Sequence, residues 1–330
     1  MSGKITISGK IVIEYLSDER WANLPSMTLA KKIYSENKQF TSIDNIRATI
    51  RYYRGANGEH HRQLLKTRDF IDYNPFKLPE SFSEDWFPFK ITGVKTLGVV
   101  SDIHIPYHDL PAVYCALEYF KKCNVDCILL NGDIIDAYQI SNHEKDPRKR
   151  HLAEEIEDCK IFLTALRKEF PSVRIIYKLG NHEERFEKYM MIKAPELLNI
   201  PEFELSNIMG FEALKIEQQT CDKQILTFQS LNIIHGHEIG KSFIPAVNPA
   251  RGLYLRAKTS TICGHFHRGS EHTERDLNGK ISKYWSMGCL CTLNPRWMPI
   301  NNWSHGATIV RSDEDDFHVE NFSIINGRKV

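Results

Sequence analysis

From residue 96 onward the chain is punctuated by short runs, each four or five residues long and mostly apolar. They are Leu97–Val100, Cys127–Leu130, Val173–Tyr177, Leu231–Ile234 and Ser260–Cys263. Runs of this length and character predict strands buried on both faces. Between them, 110–123 and 153–170 carry apolar residues at helical spacing and predict crossover helices. The tail predicts further strands over 281–292, 307–311 and 317–324. Alternation of this kind predicts an α/β fold with two packed sheets and helices outside.

The first 75 residues follow a different pattern. An N-cap-like Ser26 precedes Leu29, Ile33 and Tyr34 at near-helical spacing. A second helix is expected to start at Thr41-Ser42, run through Ile43, Ile46, Ile50 and Tyr53, and stop at Gly55. Arg47, Arg51, Arg54, Arg62, Lys66 and Arg68 stand against Glu59 alone. Residues 1–75 are therefore expected to be a small helical, helix-turn-helix-like module whose basic face is a candidate nucleic-acid contact. A helix pair with a solvated charged side is the plainer alternative. Residues 76–95, rich in Pro, Ser and aromatics, read as a linker anchored by Trp86, Phe87 and Phe89. The main domain then spans 96–330.

Charge and cysteine usage narrow the function class. A formal net charge of +1 predicts no global attraction to nucleic acid or membrane. Eight cysteines form no CxxC pair, and the N-terminus has no apolar leader, so the thiols read as reduced in a cytoplasmic protein. No apolar stretch approaches the roughly 18 residues of a membrane span.

The candidate chemistry lies where the predicted strands stop. The first runs into Asp102-Ile103-His104, the second into Asn131-Gly132-Asp133 and Asp136, and the third into Gly180-Asn181-His182-Glu183. The fourth and fifth run into His235-Gly236-His237 and Gly264-His265-Phe266-His267. In α/β sheets ligands bind beyond the carboxyl ends of strands, so these residues are expected to converge. Mixed Asp, Asn and His donors suit manganese, iron, zinc or nickel better than a thiolate zinc site or an all-oxygen calcium cage. Asp102 and His104, two apart, would share a side if that segment is extended. Asp133 is the natural carboxylate to bridge two metals.

The blocks DIH, GDIID, GNHE, HGH and GHFH resemble, in order and spacing, those of the calcineurin-like metallophosphoesterase superfamily, over about residues 96–325. The resemblance implies a four-layer α/β/β/α sandwich and a dinuclear metal-dependent phosphoesterase. It implies a first metal on Asp102, His104, Asp133 and His267, and a second on Asp133, Asn181, His235 and His265. His182 would stand near the leaving group, oriented by Asp136. Two dications would make a hydroxide nucleophile available near neutral pH, and a protonated His182 would donate to the departing oxygen. Arg185 and Arg268 are candidate phosphate contacts through bidentate hydrogen bonds, and His237 a residue of the site's mouth. In the Ser/Thr protein phosphatases of the superfamily the second block continues as Asp-Arg-Gly. Here Ala137-Tyr138 follow Asp136, which weakens a phosphoprotein substrate.

The basic N-terminal segment tilts the expected substrate toward nucleic acid. A phosphomonoesterase acting on nucleotides or phosphoproteins is one alternative. The other is a nucleic-acid-binding adaptor whose metal centre is mainly structural.

Overall fold

The computed structural model of the protein describes residues 6–18, 20–22, 24–37, 40, 42–54, 76–79, 86–142, 144–146, 148, 151–219, 223–240, 247–314 and 316–330. The chain divides into two compact units, Met1–Asp85 and Trp86–Val330.

The first unit contains three helices among its described residues: α1 (Ile7–Ser17), α2 (Ser26–Glu36) and α3 (Ile43–Tyr53). The first was not foreseen, because Ile11-Val12-Ile13 is a β-branched run that disfavours helix locally. Thr6 caps it through the Gly9 amide, and Val12 and Leu16, one turn apart, are buried with Leu29, Ile33, Ile46 and Ile50. Tertiary burial thus overrides propensity. Ser42 caps α3 as expected, accepting from Asn45 N. Pro25 rather than Ser26 occupies the cap position of α2. The Ser26 hydroxyl instead accepts from Arg54, whose guanidinium also bonds the Ala22 and Leu24 carbonyls at 3.0 and 2.6 Å. Arg54 is therefore a structural cross-link and leaves the expected basic face. Arg62, Lys66, Arg68 and Glu59 lie outside the described residues.

The second unit contains thirteen strands among its described residues. They are β1 (Phe89–Lys90), β2 (Thr96–Val100), β3 (Cys127–Asn131), β4 (Arg174–Lys178), β5 (Ile216–Gln218), β6 (Leu226–Phe228), β7 (Leu231–Ile234), β8 (Thr261–Cys263), β9 (Ser270–Arg275), β10 (Ile281–Ser286), β11 (His305–Asp313), β12 (Asp316–Ile325) and β13 (Arg328–Lys329). One sheet has the order β13-β12-β11-β2-β3-β4-β5, the other β1-β6-β7-β8-β10-β9. Helices α4 (Leu110–Lys122), α5 (Leu152–Glu169), α6 (Glu184–Lys193), α7 (Leu205–Met209) and α8 (Pro249–Ala257) complete the unit.

Strand periodicity assigns each buried side chain to a layer. Leu97 and Val99 of β2, Cys127 and Leu129 of β3 and Ile176 of β4 pack against Leu226, Ile233 and Ile262 of the other sheet. The intervening Val100, Ile128, Leu130, Ile175 and Tyr177 pack outward on Ala116 and Phe120 of α4 and Cys159 and Leu163 of α5. On the far side, Ile234, Cys263 and Tyr284 pack on Ala250 and Leu253 of α8. The order helix, sheet, sheet, helix is the expected four-layer sandwich, and it explains why the core strands carry no polar face.

Residues 86–94 depart from the surface-linker reading. Phe89 and Lys90 pair in parallel with β6, and Ile91 and Val94 join the core between the sheets. Trp86 and Phe87 are about half exposed, and the Phe87 carbonyl accepts from Gln224 Nε2 at 2.8 Å. The strand is too short for periodicity to reveal it.

Candidate metal centre

Strands β2, β3 and β4 run parallel in one sheet, and β7 and β8 run parallel in the other. Their carboxyl ends meet, and hydrogen bonds join the two sheets there. Asn131 Nδ2 donates to the Ile234 carbonyl at 2.9 Å, and the His265 amide donates to Asp102 Oδ2 at 2.9 Å. The fully buried Lys178 ends β4 and pairs with Glu238 at 2.8 Å. Glu238 in turn accepts from the His235 and Gly236 amides, fixing the turn after β7.

The converging donors are dense. His104, Asp133 and His182 each offer one donor atom, all within 4.8 Å of one another, as do Asp133, His235 and His265. Asp133 Oδ2 lies 3.3 Å from His235 Nε2, 3.7 Å from His182 Nε2 and 3.8 Å from His104 Nε2. Asp102 Oδ1 lies 3.2 Å from His267 Nε2. Outer bonds aim the imidazoles: His235 Nδ1 donates to the Asn131 carbonyl at 2.8 Å, and His104 Nδ1 to Asp136 Oδ1 at 3.0 Å. With Nδ1 committed to these outer partners, both Nε2 atoms face inward, the orientation in which a neutral histidine binds metals.

The backbone is strained at this point. Asp102, His104, Asp133, His265 and His267 all have φ between 51° and 68°, the left-handed region that costs non-glycine residues about 1–2 kcal/mol each. Asp102 and His104 therefore converge through consecutive tight turns and not through an extended segment. Glycine is required where segments cross. A Cβ on Gly180 would stand 2.2 Å from Asp133 Oδ1, and one on Gly264 2.1 Å from Ser101 Oγ. Much of the loop after β3 hangs on Glu183, 2% exposed, whose carboxylate accepts from the amides of Asp133, Ile134 and Gly180 at 2.8–2.9 Å. It also accepts from the Tyr177 hydroxyl at 2.8 Å.

Charge is concentrated and only partly compensated. Burial alone would raise the Asp133 carboxyl, but His182 and His235 hold it well below the usual range. Burial likewise opposes ionisation of Asp136, and the bonds from His104 and His182 keep it depressed. Burial would lower His235, yet Asp133 and Asp102 lift it to about 10. The buried Asp102 and Asp133 and the partly buried Asp136 thus draw in positive charge.

Other anticipated residues occupy distinct positions. His182 Nδ1 donates to the Asp136 carbonyl at 2.7 Å, closer than the Asp136 carboxylate at 3.3 Å, whose nearest partner is His104. Asp136 therefore orients His182 through its backbone and His104 through its side chain. Arg185 donates to the same carbonyl at 2.8 Å and to His182 Nε2 at 2.8 Å. Because a guanidinium only donates, His182 Nε2 is an unprotonated acceptor here. His237 Nε2 bonds Glu184 at 2.6 Å, which fastens it at the rim. Arg268 is half-buried beside His267.

Two residues escaped the sequence reading. Glu183 looked like a motif neighbour, since its three backbone partners come together only in the fold. Cys291, given no role beyond that of a reduced thiol, lies 3.8 Å from His267 Nδ1, the ring nitrogen facing away from Asp102. Its sulfur and one ring nitrogen each of His104 and His267 lie within 4.8 Å of one another, a third group of donors at the site.

The residues fit a bound cation on chemical grounds. Asp102 Oδ1, Asn181 Oδ1 and His235 Nε2 are buried without a well-formed hydrogen bond, Asp102 Oδ1 having only the His267 ring at 3.2 Å and His235 Nε2 only the Asp133 carboxylate at 3.3 Å, and an unsatisfied buried polar atom is costly. All three are atoms of metal-ligating type, and they come from the ends of three different strands.

A family model described as calcineurin-like phosphoesterase matches residues 95–293. A protein called Gene 54 protein, from Mycobacterium phage L5, is 24% identical over 246 residues, covering 71% of this chain and 95% of that protein. Its counterpart in Mycobacterium phage D29 is 23% identical over the same shares. Among solved structures, Vps29 from Entamoeba histolytica in complex with zinc is 10% identical, with a TM-score of 0.36, covering 71% of this chain and 96% of that one. YfcE, a phosphoesterase from E. coli, is 19% identical with a TM-score of 0.32, covering 67% and 90%. With the family model spanning every strand end that carries a donor, the chain belongs to the calcineurin-like phosphoesterase family.

Proposed function

We propose that the protein is a phosphoric ester hydrolase dependent on two divalent ions, with manganese the first candidate and iron, zinc or nickel suited to the same donors. One ion would be held by Asp102, His104, Asp133 and His267, the other by Asp133, Asn181, His235 and His265. The observation that carries this reading is the trio of buried, unsatisfied ligand atoms on Asp102, Asn181 and His235. Ions bound there supply Lewis acidity, activating water and offsetting charge on the phosphate.

The protein's own groups supply the rest. Arg185 leaves His182 Nε2 to meet a phosphate oxygen, which frees that nitrogen to take a proton and pass it to the departing oxygen. The Asp136 carbonyl keeps the ring in place throughout. Arg268 presents a second guanidinium from the His267 side, and His237, held by Glu184, limits the rim. The preferred substrate is a nucleic-acid phosphodiester, since α3 of the first unit carries Arg47 and Arg51 as candidate phosphate contacts. The seven described cysteines are free thiols, in keeping with a cytoplasmic setting, and no described helix is long and apolar enough to cross a membrane.

The test compares hydrolysis of bis(p-nitrophenyl) phosphate and p-nitrophenyl phosphate by chelator-stripped protein before and after manganese, with His182→Ala alongside. Metal-restored diester turnover that collapses in the variant is expected. Turnover unaffected by chelator and by the variant would overturn the reading.

A further inference from the structure

The loop between β10 and β11 carries Asn294-Pro-Arg-Trp-Met-Pro-Ile-Asn-Asn-Trp303, with one cation and no anion. The Trp303 ring packs edge-to-face on His267 at 4.2 Å between centroids, and Trp297 packs on Trp303 at 5.5 Å. A ladder of three rings thus leads from the candidate metal centre to solvent, where Trp297 is 67% and Ile300 93% exposed.

This exposure is built in. Asn301 Nδ2 donates to the Leu293 and Met298 carbonyls at 2.6 and 2.8 Å, and its Oδ1 accepts from the Trp303 amide at 2.8 Å. Asn294 Nδ2 donates to the Pro299 carbonyl at 3.0 Å. The loop's end is tied to the site, the Ser304 amide donating to the His267 carbonyl at 2.8 Å. An ordered loop that holds large apolar side chains in water loses conformational entropy without gaining burial, so the benefit must come from a partner.

We infer that Trp297 and Trp303 form a stacking platform for an unpaired nucleobase of the substrate, with exposed Arg296 beside the strand's phosphates. Every base has a π face, so such a platform is sequence-tolerant. Continuity with His267 favours substrate over a remote partner, because a base two ring contacts from the centre belongs to the nucleotide being cleaved or its neighbour. The lack of acidic residues in the loop leaves a polyanion unopposed. This inference rests on the phosphoesterase reading for its location, but its binding test does not.

Full-length protein is titrated with oligo(dT) and with thymidine monophosphate while tryptophan fluorescence is followed, with and without manganese. Quenching is expected; Trp297→Ala should weaken binding about 5- to 100-fold, and Trp297→Phe should largely restore it. Quenching by the oligomer alone assigns the platform to strands, and equal quenching by the mononucleotide assigns it to nucleotides. In a second arm, Trp297→Ala should lower kcat/KM for thymidine 5′-(p-nitrophenyl phosphate) by a similar factor and leave methyl p-nitrophenyl phosphate unchanged. Absence of quenching, or affinity indifferent to Trp297→Ala, overturns the platform. So does self-association that the variant abolishes, which would place a second copy of the chain on the loop. Quenching with no turnover of either ester would sink the hydrolase reading and leave the platform standing.

Discussion

His104 and His267 point the same atom at each other, Nε2 to Nε2, at 3.1 Å. The His104 proton is committed to Asp136 through Nδ1, so its Nε2 presents a lone pair toward His267. Two imidazoles meet this way when a cation belongs between them or a single proton is shared. Manganese is therefore expected to raise the melting temperature of stripped protein. At a hundredfold excess over the dissociation constant the gain is about 2.7 kcal/mol. In His267→Ala the manganese-induced shift should shrink, as read by thermal unfolding with and without metal. An equal shift in both proteins would count against His267 as a ligand.

Among the described residues, Asp133 is the only carboxylate within 4 Å of His104, His182 and His235 together. Asp133→Asn should therefore cost more diester turnover than any single change at the rim, exceeding the roughly 10- to 100-fold typical of an outer partner of a metal ligand. Rates of Asp133→Asn and of the rim variant His237→Ala, measured at saturating manganese, make the comparison. Near-normal turnover by Asp133→Asn would be incompatible with a shared carboxylate.

Glu183 accepts from the amides of Asp133, Ile134 and Gly180 at 2.8–2.9 Å and from that of Ile135 at 3.4 Å. Glu183→Ala should lower stability by about 3 kcal/mol or more, since each amide left unbonded carries a penalty. For a domain of this size that is roughly 6–12 °C in melting temperature. Because those amides flank Asp133 and Gly180, metal affinity should fall in parallel. A variant that melts normally would reduce Glu183 to a bystander.

The five strand ends that carry Asp, Asn or His were legible because buried strands lack polar faces, and a polar donor at the end of such a run stands out. The crossovers α4 and α5 were legible for the same reason, through 3.6-residue spacing. What stayed hidden depends on partners distant in sequence. Short strands such as β1 and β6 hold two or three residues, too few for a period. The left-handed turns at Asp102 and His104 exist because Gly132 and Asp133 accept their amides, a relationship between two strands that neither segment contains alone. The placement of Cys291 behind His267 likewise arises where β10 leads into the site.

Glu320 on β12 offers a check away from the centre. Burial would raise its carboxyl, but Tyr119, Lys329 and Arg311 donate to it and lower it to about 2. A depressed carboxyl stabilises the fold above its unfolded pKa and loses that contribution as pH falls through the folded value. Glu320→Gln should therefore be less stable than the parent at pH 7, with the gap closing between about pH 4 and 2. Urea unfolding at a series of pH values measures it; a gap that widens on acidification would refute the assignment.

If Asp133 serves two cation sites at once, anomalous diffraction at the manganese edge from crystals soaked in Mn2+ should show it. Two peaks are expected, one against His104 and His267 and the other against His235 and His265, both in reach of Asp133. No peak there, or a single peak away from Asp133, would contradict it.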